Sequence, residues 1–293
     1  MGQKDSAEKL LEDYNDVFSD IVNVLLFHGR KVVKEEDLED TKVRSQYKAD
    51  DTKLHEQERD VAKYWKKGNV SIAILGLENQ SAIDRDMPLR ILAYDGASYR
   101  SQMLNSSGRR YPVVTLVLYF GDKPWAGPKS LHECLEIPEE LKEYVNDYQI
   151  RIVNIPYLTE DQVSEFQSDF RIIADYFVQK QQRNGEYSPE KQEFRHTDAV
   201  LKFFDIFTDD GRYSEAAESA RKDGKEVRSM CDVLDRVENR GRAEGRTEGG
   251  NLMIYSLVQD GDLIPEKGAA RLKISVDELK RRMELCGYKF PAK

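Results

Sequence analysis

The sequence is poor in the residues that cross-link a fold or bind zinc. Among its 293 residues are three cysteines and four histidines. Cys134, Cys231 and Cys286 are far apart, odd in number and without a CxxC pair, which argues against a disulfide framework and a cysteine-based zinc site. The histidines are dispersed and lack metal-ligand spacing. Such cysteine usage is typical of a reducing compartment, and we expect a cytoplasmic protein.

The chain also lacks the signals of several other protein classes. No apolar run reaches the ~20 residues of a transmembrane helix. No glycine-rich phosphate loop, GxSxG elbow or dinucleotide fingerprint is present, so we expect no nucleotide cofactor. Asp and Glu number 54 against 45 Lys and Arg, a net charge of -9. Any DNA contact therefore has to come from local basic clusters.

A short apolar run at residues 71–77 ends abruptly on polar groups. Its length and aliphatic content predict a buried β-strand. Because side chains alternate across a strand, Glu78 and Gln80 point to one face and Asn79 points to the other. The strand therefore carries a carboxylate and a carboxamide on the same surface.

A second strand is predicted just upstream, at residues 60–65. The two runs are separated by residues 66–69, which are turn formers and predict a hairpin. Asp60 and Glu78 are then expected at the same exposed end of the hairpin. A carboxylate on each arm is the minimum arrangement that holds a hard divalent cation beside a phosphodiester.

The remaining periodicity predicts helices around the sheet. Apolar positions at helical spacing predict a first helix at residues 7–27, with Gly29 as its stop. Residues 31–53 are polar and predict at most a short edge strand. Further elements are a helix at 84–103, strands at 113–120 and 149–157, and a helix at 161–179. This order favours an α/β sandwich around a mixed sheet.

The composition changes beyond residue 182, where helices are predicted at 196–207 and 213–239. Glycines then recur every fourth residue, at Gly241, Gly245 and Gly249. On a helix they form one stripe open to a second helix, whereas in a coil they make a flexible linker. Two short helices end the chain, as a packing hairpin, which we favour, or as a helix-turn-helix unit. The predicted segments are a core at 1–182, a helical extension at 183–240, and a glycine-spaced linker with a short helical tail at 241–293.

An Asp, a hairpin turn, an apolar strand and then Glu-x-Lys or Glu-x-Gln is the motif of the PD-(D/E)XK nuclease superfamily. The chain resembles one branch of it, the Rpn family of recombination-promoting nucleases and putative transposases. Two positions depart from the superfamily pattern, because Arg59 stands in place of Pro and Gln80 in place of the usual Lys. The resemblance covers the first two thirds of the chain and is carried by the order of four segments, at 18–23, 76–81, 87–95 and 111–121.

The resemblance implies a restriction-endonuclease-like mixed sheet flanked by helices, with a helical C-terminal appendage. It implies a metal-dependent DNA endonuclease that acts in recombination or for a mobile element. Asp60, Glu78 and the backbone carbonyl of Asn79 would hold Mg²⁺ or Mn²⁺, and Gln80 would position the attacking water. Because Gln80 is neutral, catalysis would depend more strongly on the metal.

The polar side of the first helix has two interpretations. Asp13, Asp16, Asp20 and Asn23 form one stripe. We favour a solvated face. The alternative rests on the family resemblance and places Asp20 near the metal as an accessory ligand.

Arg90, Lys63 and Arg85 are the basic residues predicted to bind DNA phosphates, and Arg90 alternatively braces Glu78. A homodimer would cut both strands of a duplex most simply. A rival hypothesis is a catalytically degenerate DNA-binding or protein-interaction module on the same fold, suggested by Gln80 and the acidic net charge. A full transposase is the third hypothesis, although the sequence contains a single cluster of candidate catalytic carboxylates.

Overall fold

The computed structural model describes residues 10–41, 44–48, 54–58, 60–68, 70–104, 108–183, 185–208 and 210–291. The chain divides into two compact units, Met1–Cys231 and Asp232–Lys293. The division into three segments stays a prediction, and its boundary at residue 240 falls inside one helix. None of the described helices combines the length and apolarity that a membrane span needs.

A mixed sheet forms the centre of the first unit. The described strands are β1 (Leu38–Asp40), β2 (Arg44–Lys48), β3 (Leu54–Glu58), β4 (Val61–Lys67), β5 (Val70–Gln80), β6 (Val113–Tyr119) and β7 (Arg151–Asn154). Five of them form one sheet in the order β1-β4-β5-β6-β7, antiparallel from β1 to β5 and parallel from β5 to β7. The predicted hairpin is β4–β5, and the strand predicted at 113–120 is β6. The separate antiparallel pair β2–β3 was not predicted from its polar sequence.

Helices surround the sheet and make up the C-terminal region, which confirms the mixed α/β class. They are α1 (Asn15–Phe27), α2 (Met87–Leu104), α3 (Leu131–Cys134), α4 (Glu160–Glu165), α5 (Phe170–Gln182), α6 (Thr197–Thr208), α7 (Arg212–Lys222), α8 (Met230–Gln259), α9 (Pro265–Leu272) and α10 (Val276–Leu285). Just after α1, Gly29 has a φ of 75°, in agreement with the predicted stop. A turn separates α1 from a helical segment at 10–12, and the predicted start at residue 7 lies outside the described residues.

Several predicted elements are shorter or divided. The strand predicted at 149–157 is only β7, because Pro156 has no amide N–H and the chain enters a 3₁₀ segment at Ile155–Tyr157. The helix predicted at 161–179 is α4 followed by α5. The helix predicted at 213–239 is interrupted at Gly224, which has a φ of 68°. The glycine repeat lies within α8, so its helical interpretation is the correct one.

Helices α1 and α2 cover opposite faces of the sheet. Ile91 of α2 and Val117 of β6 belong to one buried cluster. Val117 is paired in register with Glu78, so α2 covers the face that carries Glu78. On the other face, the ammonium of Lys63 lies 5.7 Å from the ring centre of Phe18 in α1.

An aromatic cluster attaches α5 and α6 to the carboxyl end of β6. The ring centre of Phe120 lies 5.0 Å from that of Phe177 and 5.7 Å from that of Phe207. Phe203 stacks on Phe207 at 4.3 Å. Helix α6 therefore contributes to the core of the first unit, although the composition changes at residue 182.

The second unit has its own core. Val258 of α8 packs with Leu279 and Met283 of α10 in one buried cluster. Ser275 caps α10 by accepting a hydrogen bond from the amide of Glu278.

Candidate functional site

Asp60 lies directly before β4, where β5 extends beyond its antiparallel partner. The last paired residues at this end are Val61 and Leu77. Beyond them, the amide of Asn79 donates a hydrogen bond to Asp60 Oδ2 at 2.8 Å. This side-chain contact takes the place of a ladder hydrogen bond. The structure thereby brings Asp60 and Glu78 together at one end of the hairpin.

Glu78 is buried, contrary to the expectation of an exposed carboxylate. Its side chain is 1% exposed, and its Oε1 atom accepts a hydrogen bond from Arg90 Nη2 at 2.5 Å. The Nε2 atom of Gln80 lies 3.5 Å from the same oxygen, so Glu78 and Gln80 share a face as predicted. A buried carboxylate is costly unless it is paired. The arginine therefore makes the burial of Glu78 tolerable.

Arg90 bridges two carboxylates. Its second terminal nitrogen, Nη1, donates to Asp84 Oδ2 at 2.9 Å, and Nη2 also lies 3.3 Å from the hydroxyl of Tyr94. Burial opposes the charge on the guanidinium, but Glu78 and the hydrogen bonds to Asp84 and Tyr94 hold the pKa of Arg90 above its ordinary value. Arg90 therefore stays charged and supplies the positive group of this end of the sheet.

Tyr94 lies one helical turn after Arg90 and contacts it at this end of the sheet. It is buried, and burial raises the pKa of its hydroxyl, with the negative charges of Glu78 and Asp60 raising it further. The hydroxyl therefore remains protonated at neutral pH. Tyr94 offers the site a neutral hydrogen-bonding group, not an anion.

Asn79 faces the opposite side of β5. Its Nδ2 atom donates to Glu12 Oε2 at 2.8 Å, and both residues are buried. Its Oδ1 atom is buried without a hydrogen-bond donor among the described residues. Sequence reasoning did not single out Glu12, and the only available signal was a charged residue next to the apolar pair Leu10 and Leu11.

Residues 30–195, more than half of the chain, match the family described as "Putative transposase, YhgA-like". The chain belongs to this family. The match confirms the resemblance to Rpn-like putative transposases. No curated protein and no solved structure matches the chain.

Family membership favours a nuclease or mobile-element role and DNA as a partner. The matched range contains Asp60, Glu78, Gln80 and Arg90, whereas Glu12 precedes it. The charged cluster at the end of β5 therefore lies inside the part of the chain that the family shares.

Lys63 does not lie with Glu78 and Arg90 at the end of β5. Its side chain is 1% exposed, and its ammonium donates to Asp40 Oδ1 at 2.5 Å and to the backbone oxygen of Asp13 at 2.8 Å. It is on the α1 face, opposite Glu78. An ammonium buried in this way cannot reach a DNA phosphate, contrary to the prediction that Lys63 binds DNA.

The polar side of α1 is used within the protein. Asp20 Oδ2 accepts hydrogen bonds from the amides of Gln167 and Ser168 at 2.8 and 2.7 Å. Asp16 Oδ1 lies 2.9 Å from Nε2 of His196. This side is therefore not simply a solvated face. Asp20 fixes the connection between α4 and α5, and the structure does not bring it to Asp60 and Glu78.

Arg85 is exposed, in the segment that leads from β5 to α2. It lines an open cavity with Ile83 and Cys134, and its backbone oxygen accepts the thiol of Cys134 at 3.2 Å. Its contact with DNA stays a prediction. Arg59 lies outside the described residues.

The oxygen donors at this end suit a hard divalent cation. The amide and carbonyl of a strand residue point to the same side, so the Asn79 carbonyl faces the Asp60 side. No group of three or more His, Cys, Asp or Glu side chains is arranged to hold a metal in the part of the chain that the structure describes. Mg²⁺ commonly uses only one or two carboxylates and completes its coordination with water and phosphate oxygens. The residues present therefore fit a two-carboxylate site at Asp60 and Glu78.

Proposed function

We propose that this protein is a metal-dependent DNA endonuclease of the cytoplasm, with a restriction-endonuclease-like arrangement of its mixed sheet. The observation that carries the proposal is the pair Asp60 and Glu78, joined through the Asn79 amide at the end of β5 within the family-matched range. Two neighbouring carboxylates that hold a divalent metal ion are suited to phosphodiester hydrolysis.

Asp60, Glu78 and the Asn79 carbonyl would hold Mg²⁺ or Mn²⁺, which when bound activates water and stabilises charge on the departing oxygen. Gln80, on the Glu78 face, orients the attacking water. Arg90 is the partly exposed cation of the site, with a side chain 33% exposed, and it binds a phosphate oxygen of the DNA.

Nicking of supercoiled DNA tests this proposal. We expect nicking with Mg²⁺ or Mn²⁺ and none with EDTA. The near-isosteric variants Asp60→Asn and Glu78→Gln are expected to lower the rate by on the order of 10²-fold or more. Glu218→Gln on the exposed surface of α7 removes the same charge elsewhere and is expected to cleave like the parent. Nicking that survives EDTA, or that survives both site substitutions, contradicts the proposal.

A second candidate is a DNA-binding module that has lost cleavage. It is favoured by the ion pair that already occupies Glu78 Oε1 and by the neutral side chain at Gln80. DNA affinity that is the same in Mg²⁺ and in EDTA, together with no nicking in any divalent cation, would support this candidate over the nuclease.

A further inference from the structure

Arg90 and a divalent cation would use the same carboxylate. Glu78 is 1% exposed, whereas the guanidinium that covers its Oε1 atom belongs to a side chain that is 33% exposed. The carboxylate that a cation has to reach is therefore buried, and its Oε1 atom is already held by a positive group. Like charges repel, so Arg90 on Oε1 disfavours a metal ion on the same carboxylate, and a metal that binds through Oε1 requires Arg90 to give up its contact.

We propose that Arg90 is a latch that sets the metal affinity of the site, an inference that rests on the proposed function. With the latch closed, Arg90 neutralises Glu78 and weakens metal binding. With the latch open, the guanidinium remains on Asp84 and leaves Glu78 to the metal. Toward the metal, Arg90 is thus a positioning residue that acts through Glu78, separately from its proposed contact with the DNA phosphate.

Asp84 is suited to hold the open latch. Its Oδ2 atom already binds Arg90 Nη1 at 2.9 Å, while its Oδ1 atom accepts the amide of Asp86 at 2.9 Å. The backbone of Arg90 is fixed by the hydrogen bond from its amide to the Asp86 carbonyl at 2.9 Å. A rotation of the Arg90 side chain can therefore release Glu78 while Nη1 stays on Asp84, without a shift of α2.

Substitutions at Arg90 and at Asp84 are expected to change the metal affinity in opposite directions. Removal of the arginine leaves Glu78 to the metal, so affinity rises. Removal of the charge at Asp84 leaves Arg90 with Glu78 as its acidic partner, so affinity falls. A merely structural role for Arg90 predicts the reverse for its own removal, because a loosened site binds metal less well.

The experiment is a titration of the full chain with Mn²⁺, in which electron paramagnetic resonance measures the free ion. Arg90→Gln is expected to bind Mn²⁺ roughly tenfold more tightly than the parent, the effect of about one pKa unit of lost ion pairing. Asp84→Asn is expected to bind several-fold more weakly. Because the contacts are short and partly buried, both shifts should persist at high salt.

Arg100→Gln is the matched control. Arg100 is an exposed arginine of the same helix, next to Tyr99, whose hydroxyl accepts the Val113 amide at 3.1 Å. Val113 begins β6, and the carboxyl end of this parallel strand lies beside Gln80, so Arg100 is at the far end of α2. We expect its loss to leave Mn²⁺ affinity unchanged.

Unchanged or weaker binding by folded Arg90→Gln overturns the latch. If Arg90→Gln fails to fold, Asp84→Asn decides, since Asp84 is 29% exposed and unchanged or tighter binding there has the same meaning. If the parent binds no Mn²⁺ but Arg90→Gln does, the latch stands and the proposed nuclease activity of the parent fails. If neither binds, both proposals fail.

Discussion

At the scale of single residues, Gln80 allows the position of a polar side chain to be tested separately from its charge. Its carboxamide lies beside Glu78 Oε1, where it can orient water or a phosphate oxygen but adds no positive charge. We expect Gln80→Leu to lower the nicking rate by on the order of 10²-fold or more. Gln80→Lys should keep or raise the rate, because it supplies the positive charge that is usual at this position in the superfamily that the sequence resembles. Single-turnover nicking measures both.

The control is thermal melting, because Gln80 is only half-buried and neither variant should change the fold. A Gln80→Leu protein that melts like the parent and also nicks at the parent's rate would show that Gln80 takes no part in the reaction.

Gly121 has a packing requirement that is independent of the site chemistry. A Cβ atom at this position would collide with the phenol ring of Tyr119, whereas a Cβ at Gly96, in α2, meets no described atom within 4 Å. Gly121→Ala is expected to lower the free energy of unfolding by roughly 1–3 kcal/mol. Gly96→Ala is expected to raise it by up to about 1 kcal/mol. Urea unfolding measures both, and equal effects would contradict the assignment.

The sequence predicts which side chains share a face but not what surrounds them. Alternation is a property of the strand backbone, so Glu78 and Gln80 could be placed on one surface without tertiary information. The burial of Glu78 depends on α2 and could not be read from the strand. Glu12 escaped prediction because its partner, Asn79, is 67 positions away in the chain.

At the scale of elements, α8 contains residues of low helix propensity in its middle. Gly241, Gly245 and Gly249 lie on its exposed surface, and a Cβ added to any of them meets no described atom within 4 Å. Because glycine costs a helix about 1 kcal/mol relative to alanine, alanine at each position should slow amide exchange in α8.

The same substitutions test whether the glycine stripe receives a second helix. If it does, alanine at these positions will weaken self-association in light scattering, and the gain in helix stability will not appear in the associated form. If it does not, association will be unchanged.

Elements with a strong local pattern were predicted, and those defined by partners were not. The hairpin β4–β5 follows from an apolar run and a turn. Helices α4 and α5 were predicted as one, because the break between them is held by the distant carboxylate of Asp20. The glycine repeat left helix and coil equally open, since glycine disfavours a helix without forbidding it.

At the scale of the whole molecule, the two units predict separable roles. Removal of residues 241–293 leaves intact the segments that carry Asp60, Glu78 and Arg90. We expect the shortened chain to keep its Mn²⁺ affinity and to lose DNA affinity or shift its oligomer distribution. Metal titration, light scattering and DNA binding measure these outcomes together. Loss of metal binding, or no change in association and DNA affinity, would contradict the separation.

The long-range contacts of α1 also determine when this protein can fold during its synthesis. Asp16 and Asp20 cannot form their contacts until His196 and Ser168 have been synthesised. These two residues leave the ribosome on the order of ten seconds or more later at typical elongation rates. Until then the apolar side of α1 has no finished core to enter. An interrupted translation product that ends before α6 is therefore expected to be unfolded and readily degraded, so the proposed DNA cleavage would be confined to chains that have been made almost to the end of the first unit.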